Sequence, residues 1–146
     1  MTTAHPLPNF TGVWKLNLEK SIIRGAPPKQ ILMNIEHRDA TVIQQIRSTD
    51  ANGAQQRQTF TCRIGVDTKN SVNGVELQSS TQWIGTELVI QSDFSARGRE
   101  FYFKDYWSLS EDGRTLTMAH RDDDLAGQIS ILEKIPDADS ALFNDF

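Results

Sequence analysis

One cysteine, Cys62, is all that the chain contains. An internal disulfide is therefore excluded, and a reducing, cytoplasmic setting is expected. Basic residues are in the minority, with 15 Lys and Arg against 19 Asp and Glu and a formal charge of -4. They are also scattered, so the clustered basic surface that nucleic acid requires is missing. No apolar run approaches the length of a membrane span, and no membrane partner is expected. Residues 1–9 carry two prolines but neither a basic nor an apolar stretch. They do not read as a signal peptide. Helical periodicity is almost absent along the chain.

What is present is strand. At 146 residues, with 38% hydrophobic and 23% charged side chains, the chain has the make-up of one soluble globular domain. That domain spans residues 1–146, with an irregular arm over 1–9 and an acidic tail over 137–146. The tail's Leu142, Phe143 and Phe146 are expected to be disordered. Between them lie about ten runs of strand-like residues. In residues 30–37, for example, Ile31, Met33 and Ile35 fall on one face, and Gln30, Asn34 and Glu36 on the other. Turn signals separate the runs at Asp39-Ala40, Asn52-Gly53, Asn73-Gly74, Gly85-Thr86, Gly98 and Asp112-Gly113. Short connections force antiparallel neighbours. A meander of this length either closes or leaves long bare edges. The expected fold is all-β, an antiparallel up-and-down β-barrel of 8–10 strands. Ser21-Ile22-Ile23 is expected to form a short turn of helix between the first two strands.

The opening Gly12-Val13-Trp14-Lys15-Leu16 resembles the Gly-Thr-Trp-Lys-Leu start of fatty-acid-binding proteins in the calycin superfamily. The last strand ends on Lys134, where such barrels set a basic residue across from the first-strand Trp. Residues 11–17 and 107–117 also resemble a bacterial lipocalin-like branch. The resemblance implies a barrel with an internal cavity and a small-molecule ligand. There are departures. The stretch between the first two strands is too short for the helical lid of fatty-acid-binding proteins. The last strand lacks the Arg-X-Tyr that holds a fatty acid carboxylate in that family. Trp14 is read as a structural plug, with Lys134 over its face.

Hairpin register identifies the residues that face inward. Around Asp112-Gly113, loops of two or four residues both set Leu109 opposite Leu116, Trp107 opposite Met118, Asp105 opposite His120 and Phe103 opposite Asp122. A slip of one residue would put apolar side chains on opposite faces. Around Asp39-Ala40, Met33 meets Ile46, Ile35 meets Gln44 and His37 meets Val42. Around Gly85-Thr86, Trp83 meets Leu88, Thr81 meets Ile90, Ser79 meets Ser92 and Leu77 meets Phe94. The register of the final hairpin is left open, with either Leu132 or Ile131 inward.

Asp105 opposite His120 is the sharpest chemical feature. Cross-strand neighbours lie within hydrogen-bonding reach, and a buried carboxylate would fix the tautomer of the imidazole and raise its basicity. Three readings stay open: a satisfied structural rung, a ligand anchor, or an acid/base pair. The first function to follow is binding of a small, mostly hydrophobic ligand in the barrel. Its walls are Met33, Ile35, Phe60, Leu77, Ile90, Phe103, Trp107 and Met118, and its polar contacts are Asp105, His120, His37 and Gln44. The second is a cofactor-independent isomerase or cyclase with His120 as acid/base and Asp105 as its orienting partner. The histidines His5, His37 and His120 show no metal-ligand spacing, and neither a metal nor another cofactor such as haem is expected. Asp122-Asp123-Asp124 reads as a solvated loop, with no further ligands at calcium-cage spacing. Cys62, on a face with Phe60 and Ile64, reads as buried filler. Whether the barrel stands alone or as a homodimer is open.

Overall fold

A computed structural model describes residues 7–72, 74–122 and 127–136. It contains ten strands: β1 (Gly12–Leu16), β2 (Gln30–Arg38), β3 (Thr41–Thr49), β4 (Gln55–Arg63), β5 (Thr68–Val72), β6 (Val75–Ile84), β7 (Glu87–Ala96), β8 (Arg99–Leu109), β9 (Thr115–Asp122) and β10 (Gln128–Lys134). All belong to one antiparallel sheet in the order β4-β3-β2-β1-β10-β9-β8-β7-β6-β5. Sequence neighbours pair at every step except β4 to β5, and β1 against β10 joins the two halves. The result is a nearly closed barrel. The tail over 137–146, most of the N-terminal arm, and Asp123 and Asp124 lie outside the described residues.

The one place where ladder pairing stops is between β4 and β5. Two devices hold that seam. Near one end, Ile64 bridges Thr81 in parallel, and the Gly65 N–H donates to the Thr81 carbonyl at 2.8 Å. Further along, the Asn70 side chain takes the place of a peptide group. Its Oδ1 accepts from the Thr61 N–H at 2.9 Å, and its Nδ2 donates to the Thr61 carbonyl at 3.0 Å.

Cross-strand registers follow turn chemistry. The β8–β9 pairing sets Asp105 opposite His120 and Trp107 opposite Met118. The β2–β3 pairing sets Met33 opposite Ile46 and His37 opposite Val42. In the last hairpin Leu132 lies opposite Leu116, and both are fully buried. That settles the register which the sequence leaves open. The Ser21-Ile22-Ile23 helix does not form. Ile22 instead bridges Ile129 beside β10, while the Ser21 hydroxyl donates to the Asn17 carbonyl and accepts from the Ile131 N–H. With its hydroxyl and amide groups already matched to a strand edge, the segment gains nothing from a helical turn.

One end of the barrel is plugged. Phe10, Trp14, Ile35, Leu88, Leu116 and Leu132 are each 0% exposed there. Burying each such side chain stabilises the fold by about 1.5–3 kcal/mol. The Trp14 indole N–H donates to the Phe10 carbonyl at 3.0 Å, which ties the N-terminal approach to the plug. The Lys134 ammonium lies 6.0 Å from the centre of the Trp14 ring. Gly12 explains why the motif begins with glycine. Its φ is +151°, and a Cβ there would stand 2.8 Å from Cε of Lys134. Among the described residues no helix is long and apolar enough to cross a membrane.

Candidate functional site

Beyond the plug the barrel is hollow. A cavity of about 660 Å³ opens towards the other end. Its apolar wall is formed by Met33, Phe60, Leu77, Ile90, Phe103, Trp107 and Met118, and its polar points include Gln44, Asp105 and His120. All of these are positions that alternation and register assign to the interior. Ile35 and His37, expected in the same lining, do not border the cavity. They stand one and two inward rungs beyond Met33, where the apolar plug leaves no free volume. Ile35 is fully buried in it.

His37 belongs to the plug through its ring. Its Nδ1 accepts the Phe10 N–H at 3.3 Å. The ring lies 5.8 Å from Phe10 and 6.1 Å from Trp83, centre to centre. An Nδ1 that accepts is unprotonated, so the proton of the neutral ring sits on Nε2. Burial pushes the pKa of His37 down, and a hydrogen bond to the Asp39 backbone offsets this in part.

Asp105 and His120 face each other across β8 and β9. Oδ1 of Asp105 and Nδ1 of His120 are 2.7 Å apart. That distance is typical of a charge-assisted hydrogen bond. It fixes Nδ1 as the protonated nitrogen when the ring is neutral. The hydrogen bond to Asp105 raises the pKa of His120, burial opposes the rise, and the charges of Asp105 and Asp122 add to it. Phe103 covers the imidazole, with ring centres 5.0 Å apart. Asp105 also follows from the β7–β8 register, which places it beside Ile90 on the same wall. The pair is half-buried rather than sealed, with side-chain exposures of 37% for His120 and 25% for Asp105. Among the described residues the hydrogen bond of the His120 ring is the one at Nδ1, and none is formed at Nε2.

A second polar point lies on the adjoining wall. The hydroxyls of Ser79 and Ser92 are 2.8 Å apart, in a rung where both residues are almost fully buried. Gln44 donates its amide to the Met33 sulfur at 3.3 Å. Cys62 borders the cavity as well. Burial pushes its thiol pKa up, the Thr81 hydroxyl pulls it down, and the charge of Asp105 adds to the rise. It is an un-ionised thiol, poorly suited to nucleophilic work.

Ile46 and Phe94 also border the cavity, as do Gln58, Asn70, Val72, Val75, Gln128 and Ser130, which had no individual signal in the sequence. Gln58 follows once β3 and β4 are paired, opposite Ile46. Gln128 and Ser130 follow once β10 is registered on β9, opposite His120 and Met118. Among the described residues no group of three His, Cys, Asp or Glu side chains is placed to hold a metal ion.

No protein-family model and no curated protein sequence matches the chain. Solved structures do match in fold. Secretory abundant heat soluble protein 4 from Ramazzottius varieornatus aligns over 92% of this chain and 100% of its own, at 13% identity and a TM-score of 0.63. The wild-type fluorescent protein UnaG aligns over 86% of this chain and 97% of its own, at 16% identity and a TM-score of 0.61. A Schistosoma mansoni fatty acid binding protein, solved in complex with arachidonic acid, aligns over 87% of this chain and 96% of its own, at 11% identity and a TM-score of 0.59. At these identities the likeness is one of architecture, and the chain has the ten-stranded barrel fold of the calycin, fatty-acid-binding-protein-like type.

Proposed function

We propose that the protein binds a small, mostly hydrophobic molecule inside its barrel, with the Asp105–His120 pair as a polar anchor. The observation that carries this reading is the cavity itself: about 660 Å³, walled by apolar side chains, with the hydrogen-bonded pair on its lining. Small-molecule pockets have this size and this mixture of apolar wall and few polar points. The architectural likeness to a fatty acid binding protein solved with arachidonic acid supports the same reading.

A neutral polarity-sensitive dye, Nile red, tests it. Uptake should saturate at one dye per chain and should perturb the fluorescence of Trp107, which borders the cavity. Native mass spectrometry of protein from its own host should show a retained guest as added mass. A folded protein that takes up no dye and carries no added mass would overturn the reading.

A second reading rests on the 2.7 Å contact and on Nε2 of His120, which has no hydrogen bond among the described residues. In it, the barrel folds a flexible hydrophobic substrate in a dry space and isomerises or cyclises it without a cofactor. His120 moves a proton at Nε2, and Asp105 holds the ring and stabilises the imidazolium that forms. Replacing His120 by Ala separates the two readings. A carrier loses affinity modestly, whereas a catalyst loses turnover by about 10²–10⁴-fold while still binding.

A further inference from the structure

We propose that the guest is electrically neutral: an alcohol, amide, ester or ketone on a hydrocarbon frame, and not a free carboxylate. This inference rests on the carrier reading and specifies its ligand class.

The argument begins with the charges on the cavity wall. The ionisable side chains bordering it are Asp105, His120 and Cys62. Cys62 is un-ionised for the reason given above. Asp105 and His120 are 2.7 Å apart and cancel each other when His120 carries its proton. Once His120 loses that proton, the wall bears one net negative charge. In either state the described residues of the wall offer no uncommitted cation. The remaining polar groups are amides and hydroxyls, including Gln44, Gln58, Gln128 and the Ser79–Ser92 pair. These are donors and acceptors suited to uncharged polar groups.

A carboxylate entering this space is stripped of water. Stripping an ion costs several kcal/mol unless a counter-charge meets it. Among the described residues the only positive group on the wall is already neutralised by Asp105. A neutral carbonyl or hydroxyl loses far less hydration. It also gains a hydrogen bond to Nε2 of His120 or to the serine hydroxyls. An ammonium guest would meet Asp105, but it would have to displace the imidazolium that already holds that carboxylate. The polar groups also lie at separate places on the wall. That favours a frame bearing more than one uncharged polar group over a simple hydrocarbon.

The test is a matched series on one frame: dodecan-1-ol, dodecanamide, dodecanoate and dodecylammonium, each competing with Nile red at pH 8. The alcohol or amide should bind at least about tenfold more tightly than the carboxylate, a difference of 1.4 kcal/mol. Asp105→Asn removes the carboxylate from the wall, and with it the repulsion that an anionic guest meets once His120 is neutral, and should shift the ratio of carboxylate to amide affinity about tenfold towards the carboxylate. Carboxylate binding as tight as the amide in the native chain overturns the proposal and leaves the carrier reading standing. Preference for the ammonium does the same. Failure of Nile red and of every competitor to bind a folded protein overturns the carrier reading instead, and this proposal with it.

Discussion

Asn70 joins β5 to Thr61 of β4 with both ends of its amide, Oδ1 at 2.9 Å from the Thr61 nitrogen and Nδ2 at 3.0 Å from the Thr61 oxygen. The side chain thereby completes a ladder step where the sheet order stops. Asn70→Ala removes both bonds. The expected loss is about 1–2 kcal/mol, read as a lowered urea midpoint, because each net hydrogen bond contributes about 1 kcal/mol. The loss should be local. Amide hydrogen exchange should quicken in β4 and β5 and stay unchanged in β8 and β9. Equal protection in both pairs of strands would show that the seam is held without Asn70.

Gly12 and Lys134 give a second prediction. The backbone at Gly12 is in a conformation that L side chains rarely adopt, and the Lys134 stem lies where a Cβ would go. Gly12→Ala should therefore destabilise by about 1–3 kcal/mol, since both strain and displacement of the lysine act in one direction. Lys134→Met keeps an unbranched stem and removes the charge above Trp14. It should cost only about 0.5–1 kcal/mol, the usual worth of an exposed cation–π contact. Urea unfolding of the two variants checks both values. A larger effect from Lys134→Met than from Gly12→Ala would refute this account of the motif.

Much of the barrel was legible in the sequence because turn chemistry and two-residue parity act locally. Asp112-Gly113 alone fixes Asp105 opposite His120, since a slip of one residue would put Trp107 and Met118 on opposite faces. The same parity puts Ile35 and His37 on the inner face. It does not say how far along the barrel the plug extends. That limit is set by Phe10, Trp14 and Trp83, which arrive from distant parts of the chain and fill the rungs beyond Met33. Inward direction was legible, but contact with the cavity was not. The Asn70 clasp and the Ile22–Ile129 bridge escaped for a similar reason. Each depends on strands brought together only by closure of the barrel.

The Asp105–His120 contact predicts a measurable titration. The His120 ring signals in a proton NMR pH series should report a pKa above the ordinary histidine value of about 6.5, raised mainly by the hydrogen bond to Asp105. Asp105→Asn replaces the carboxylate with a neutral amide of the same shape. With that favourable partner gone and burial unchanged, the His120 pKa should fall back to or below the ordinary value. An unchanged titration in the variant would show that Asp105 does not govern the imidazole, and both the anchor and the acid/base reading would lose their basis.

The two inward histidines should pull stability in opposite directions with pH. Folded His120 holds its proton more tightly than the unfolded chain does. Its contribution is complete below about 6.5 and is lost as pH rises through the raised folded value. Folded His37 resists protonation, because burial disfavours the cation and Nδ1 must stay bare to accept the Phe10 N–H. Its contribution is complete above about 6.5 and is lost as pH falls from there through the lowered folded value. Urea midpoints should therefore decline on the acid side in the native chain, and His37→Gln should flatten that decline at some cost in overall stability. Asp105→Asn should flatten the alkaline side instead. Among the described residues His37 and Asp105 have no hydrogen-bond partner in common, so the effects of the two substitutions should add in the double variant to within about 0.5 kcal/mol. If His37→Gln left the acid-side decline intact, the loss would belong to carboxylates elsewhere and the Phe10–His37 latch would not be what acid opens.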